Sequence, residues 1–254
     1  MKNIFILFVL SIATISFAFS QSFSTSSLKP GESANNSNRS VTATYFITHS
    51  TSQSIISGNS ISCNAGGLHT NNSYMRVFDL VNDFSISGPI DVTSIDFGIE
   101  LADGATGTQP VTINIYTLSG SLLFSNLTLI ASQPIYIPDL SLTIVNVPIS
   151  ASIPAGSLLV VEIYTPSGQI SGNSFFVGSN NLGQTGPTYL AAADCGVLQP
   201  TNVASIGFPG MHLVLNVYAE PAGTISNVPI SNWALYIGIG LIMVFAIVRF
   251  RKMV

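Results

Sequence analysis

The sequence predicts an all-β protein, a single antiparallel β-sandwich of jelly-roll type, and three observations carry the prediction. Past Cys63, short runs rich in Val, Ile, Tyr, Phe and Thr are separated by clusters of Gly, Pro, Asn, Asp and Ser, the texture of strands and turns. In VTINIYT and MHLVLNVYA, apolar and polar residues alternate with period two, which marks half-buried strands. Between the two chain ends no stretch repeats apolar residues at the 3.6-residue spacing of an amphipathic helix.

The N-terminal stretch MKNIFILFVLSIATISFAFSQS places Lys2 ahead of an apolar run from Ile4 to about Ile15, with small residues near Ala18 and Ser20. That pattern is a secretory signal peptide over residues 1–20, and it puts a mature protein starting near Gln21 outside the cytoplasm. Residues 21–60 are crowded with Ser, Thr and Asn and are expected to form a weakly ordered leader, in which VTATYFITHS is the stretch with strand character.

The sandwich is expected over residues 61–220. Its clearest strands are Tyr74–Val81, Val92–Leu101, Val111–Thr117, Ser141–Val147, Ser157–Thr165, Asn173–Ser179 and Met211–Ala219. Alternation sends Val111, Ile113 and Ile115 inward and Tyr116 outward; in the last run Met211, Leu213, Leu215 and Val217 point inward, with His212, Asn216 and Tyr218 outward. The segments LADGATGTQP, IPAGS, TPSGQISGN and SNNLGQTGP supply the turns.

The two cysteines, Cys63 and Cys195, are expected to form one disulfide, because export leads to an oxidising compartment and two cysteines allow a single intramolecular pairing. Two cysteines fall short of the four ligands of a structural zinc site. Charge is sparse. Between Val41 and Val248 ten carboxylates face Arg76 alone, a balance that repels phosphate backbones and argues against a nucleic-acid partner.

Reaction chemistry is hard to find. No G-x-S-x-G, H-E-x-x-H or P-loop occurs, and only His49, His69 and His212 are available as imidazole bases. His69, in the polar loop CNAGGLHTNNSY, reads as a surface histidine. Glu100 with Asp103, and Asp79 with Asp83, read as solvated turn carboxylates rather than calcium ligands, since no EF-hand spacing is present. Asp96 and Glu100 are commonplace strand carboxylates; spacing alone does not make them a glycosidase pair. No catalytic residue, metal or cofactor is therefore assigned. Tyr116, Tyr164, Tyr189 and Tyr218 are candidates to stack on an extracellular glycan, against the simpler reading of cross-strand packing.

After a spacer over 221–227, residues 228–254 close the chain as VPISNWALYIGIGLIMVFAIVRFRKMV. Trp233 to Val248 carries no charge; counted back to Val228, a helix would reach about 31 Å, enough to span a hydrocarbon core of roughly 30 Å. Arg249, Arg251 and Lys252 supply the basic stop-transfer end, so a transmembrane helix is expected with the sandwich outside. The motif Val228, Pro229, Ile230, Ser231, Asn232, Trp233, the apolar span and the basic end together resemble the bacterial C-terminal sorting tails called PEP-CTERM and, more closely, IPTL-CTERM. Asn232 stands where an acidic residue often precedes the Trp. The resemblance implies a bacterial envelope protein processed near Val228-Pro229 by an exosortase-type transpeptidase, and released if the tail is cut. Gly172–Gly196 and Ile206–Tyr218 are similar to a secreted β-sandwich domain with no assigned activity. The sequence thus points to a non-catalytic exported protein of structural or adhesive role, with a carbohydrate-binding module as alternative and a hydrolase as the third class.

Overall fold

A computed structural model describes residues 21–26, 33–34 and 45–223; the expected signal peptide, the sorting motif and the basic tail lie outside these residues. Twelve strands organise the fold: β1 Tyr45–Thr48, β2 Ile61–Ala65, β3 Asn72–Asp79, β4 Ile90–Gly104, β5 Thr108–Leu118, β6 Leu127–Pro138, β7 Leu140–Ile153, β8 Leu158–Thr165, β9 Asn173–Val177, β10 Tyr189–Ala192, β11 Val197–Asn202 and β12 Leu215–Pro221. Shorter pairings, such as Ser22–Thr25 on β2, complete it.

Two antiparallel sheets face each other. One runs β6-β5-β8-β3-β10-β11 and the other β7-β4-β12-β1, with β9 also pairing along β4. Taken in chain order, β1, β3, β4, β5, β6, β7, β8 and β12 lie in the two sheets as a jelly roll arranges its eight strands. The alternation read from sequence drives the packing. Phe78 of β3, Ile113 and Ile115 of β5, and Val161 and Ile163 of β8 meet Ile95, Phe97 and Ile99 of β4 and Leu215 and Val217 of β12 in one continuous buried cluster. Each such side chain contributes about 1.5–3 kcal/mol by leaving water.

The expected strands are all present, with ends shifted by a few residues, except that the last is broken: His212–Leu213 pairs with Ser179–Asn180, and β12 begins after Val214. Strands β2, β6, β10 and β11 are additional to the expected set. β6 is an outer strand of its sheet, and Pro134 and Pro138 are tolerated there because an edge has ladder positions without a partner. Asp139 alone joins β6 to β7. Its carboxylate accepts from the Gly104 amide at 2.9 Å, and its own N–H donates to Gly107 O at 3.3 Å, which ties that corner to the turn between β4 and β5.

The leader is the main departure. Its second part is folded: β1 is the outer strand beside β12, and Ile47 and Ile55 are fully buried. The segment after β1 crosses the outer side of the five-stranded sheet, where Ile55 packs on Gly98. A hydroxyl-rich composition read as weak order, yet here the hydroxyls bond one another, as Ser60 Oγ does with Ser179 Oγ at 2.7 Å, and Asn59 donates to the same Ser179 hydroxyl at 2.7 Å.

Candidate functional site

The outward residues of β5, β8, β3 and β10 form a polar group on one sheet surface. Because Ile113, Ile115, Val161, Ile163 and Tyr74 face the core, their neighbours Asn114, Tyr116, Glu162, Tyr164 and Met75 face the other way. Register then lines up one residue from each of six strands in a single row: Ser132, Asn114, Glu162, Met75, Tyr189 and Asn202. Tyr116 and Tyr164 flank Glu162 on either side of that row.

Glu162 is only 4% exposed although it lies on the outward face. Its Oε2 accepts from Asn114 Nδ2 at 2.8 Å and from Tyr116 Oη at 2.7 Å. Such charge-assisted bonds hold the carboxylate in one orientation, with Oε1 left as the second acceptor. Burial, and then the bond and charge of Glu162, push the Tyr116 phenol far above its ordinary range, and burial followed by the same carboxylate raises Tyr164. Both phenols therefore stay protonated donors. Tyr189 is also raised by burial, partly offset by the Arg76 charge.

Tyr218, the fourth tyrosine singled out, is on the other sheet. It bonds Asp96 at 3.0 Å and meets Phe46 with ring centroids 5.2 Å apart. Asp96, which also accepts from Asn146 at 2.6 Å, and Glu100 belong to separate hydrogen-bond networks. Glu100 is the extra residue of a β-bulge where the pairing of β4 with β9 shifts. It is fully buried, not a turn carboxylate: it accepts from the Gly58 and Ser60 amides at 2.7 and 2.8 Å and from the Ser26 hydroxyl. Asp103 is exposed. Asp79 caps its own turn by accepting from the backbone and side chain of Asn82. Among the described residues no three His, Cys, Asp or Glu side chains converge.

His69 is not a surface residue. It is 2% exposed and sits between the carbonyls of Pro166 and Asn173, each at 2.9 Å. Gly168 gives it room, since a Cβ there would lie 2.5 Å from the ring. Asn216 points outward as expected but is covered, donating to Gln53 at 2.7 Å. Alternation gives a side chain's direction and cannot tell whether a loop crosses above it.

A second buried polar group centres on Arg76 and His49. Arg76 is fully buried and faces inward; it donates to Gln184 at 2.8 Å, to Leu213 O at 2.6 Å and to Gly186 O. Burial pushes its pKa down to about 9, and its Nε has no partner. His49 stacks on Phe78 at 5.0 Å, bonds Thr185 Oγ1 at 2.8 Å and Val77 O at 3.0 Å, and lies 3.9 Å from Asp83. With Val77 O taking the Nε2 proton, Nδ1 accepts from Thr185. The group clamps the turn over residues 183–188 onto the core; its lone signal in sequence is a single Arg in an otherwise acidic span.

Cys63 and Cys195 are joined, with Cα atoms 6.0 Å apart and a sequence separation of 132. The bond links β2 to the turn between β10 and β11.

No protein-family model matches the chain, and no curated protein does. Among solved structures, it is similar to the cysteine protease and lectin-like domains of Cwp84, a surface-layer-associated protein of Clostridium difficile, at 13% identity and a TM-score of 0.41 over 66% of this chain and 39% of that one. A propeptide-cleaved form of the same protease gives 14% identity and 0.41 over 66% and 43%. The chain thus spans about two fifths of those proteins, and a likeness this distant transfers no activity or partner.

Proposed function

We propose that the protein is a non-catalytic, exported sandwich displayed at a bacterial cell envelope, anchored or sorted through residues 228–254, and that its role is structural or adhesive. The observation that carries the reading is the disulfide between Cys63 and Cys195, a bond that persists in oxidising compartments and is rare in the cytosol. It agrees with the export signal expected at residues 1–20. The carboxylates support it too: Asp96 and Glu162 are bonded across strands of their sheets, and Glu100 is bonded to the segment that crosses β4, as in a rigid display body.

Fractionating cells that express the full chain, beside a version ending at Ala222, tests the reading. The full chain is expected in the envelope fraction, with its sandwich digestible by external protease and its two thiols unreactive until reduced. The shortened version is expected in the medium. Equal release of both would remove the anchoring role, and free thiols in a cytosolic protein would remove export. Mass spectrometry of the mature C-terminus distinguishes a retained span from a tail cut near Val228 and Pro229.

A further inference from the structure

Glu162 poses a physical problem. A nearly buried carboxylate on the outward face of a sheet is costly unless paired or well bonded. The one basic residue among the described residues, Arg76, faces the opposite side of the sheet and spends its donors on Gln184, Gly186 and Leu213. Glu162 is instead held by two neutral donors, both on the same oxygen. This leaves a fixed acceptor, Oε1, in a face whose other residues are the Asn114 amide, three half-buried tyrosines and the fully buried Met75 between Glu162 and Tyr189.

We infer that this face, centred on Glu162 with Asn114, Tyr116, Tyr164 and Tyr189, binds a neutral polysaccharide chain. Three features select that ligand class. The carboxylate and the Asn114 amide call for hydroxyl groups, which donate and accept without bringing charge. The phenol rings offer flat apolar surface for the C–H faces of sugar rings, with hydroxyls at their ends. And the anchors are spread: Tyr116 on β5 and Tyr189 on β10 are three strand intervals apart, about 14 Å at 4.8 Å per interval, so an extended chain of several rings can touch them all while a small molecule cannot.

Anionic glycans are disfavoured by Glu162 itself. A protein partner is disfavoured because interface centres are depleted of charge, whereas here the charge is central, and the large exposed apolar residues Leu129 and Leu198 sit on the sheet's outer strands. The apolar groove of about 570 Å³ between β6 and β7 is a separate feature with no charged side chain in its lining.

The inference rests on the sandwich standing outside the cell, where such chains occur, but binding by the purified protein is read independently of location. The full chain in mild detergent is run by affinity electrophoresis through gels containing xylan, β-glucan, mannan or, as the anionic control, polygalacturonate. At least one neutral polysaccharide is expected to retard it. Glu162→Gln and Tyr164→Ala are each expected to weaken retardation at least tenfold, Tyr164→Phe to keep most of it, and Tyr218→Ala, on the opposite sheet, to leave it unchanged. Each variant's melting curve separates lost binding from lost folding. The inference is overturned if no neutral polysaccharide retards the chain, if a folded Tyr116→Ala/Tyr164→Ala variant binds as before, or if polygalacturonate binds equally well.

Discussion

Cutting the disulfide has a consequence that can be calculated. The bond between Cys63 and Cys195 closes a loop with a sequence separation of 132, and in the chain-entropy description a loop of that size removes about 5 kcal/mol of freedom from the unfolded chain. Against a total of about 5–15 kcal/mol for a native domain, that is a large share. Cys195→Ser is the appropriate variant, because Cys195 is partly exposed while Cys63 is fully buried and keeps its sulfur, so no cavity opens in the core. Urea titration of the full chain, followed by tyrosine fluorescence, reads the loss. With a slope near 2 kcal/mol per molar, the midpoint should fall by roughly 2.5 M. The slope should also rise, since an unfolded chain freed of its cross-link expands and exposes more surface. A midpoint that moves by less than about 0.5 M, with an unchanged slope, would refute the reasoning: the unfolded ensemble would then already hold these segments together.

Two further outcomes follow from buried groups. His49 and His69 both have pKa values lowered chiefly by burial, so each folds neutral, and the unfolded chain takes up the proton first as pH drops. Their contribution to stability is therefore complete above about pH 6.5 and is lost as pH falls through their folded values; urea midpoints that coincide at pH 7.5 and 5.0 would contradict it. Glu100→Gln presents an amide N–H₂ where the Gly58 and Ser60 amides already donate, and leaving one donor unmet costs about 1–3 kcal/mol. A melting temperature lowered by several degrees is expected, and an unchanged one would mean that the loop over residues 51–60 does not depend on this carboxylate.

The sequence by itself determined the class of the fold, the seven clearest strands and the inward set of the last one, because period-two alternation is a local property of a strand with one face in a core. It determined the pairing of Cys63 with Cys195 by arithmetic, as two cysteines leave one intramolecular choice. Tertiary structure alone decided what lies over each face. The segment after β1 covers the outer side of β4 and turns Glu100 and Asn216 from expected exposed residues into buried ones, and two carbonyls distant in sequence enclose His69. The candidate site was likewise half legible: alternation gave the outward direction of Tyr116. Only strand order and register, fixed by contacts between segments far apart along the chain, bring Asn114, Glu162, Met75 and Tyr189 into one row and leave Tyr218 on the other sheet. Direction is set by neighbours along the chain, whereas proximity is set by long-range packing that no short window of sequence contains.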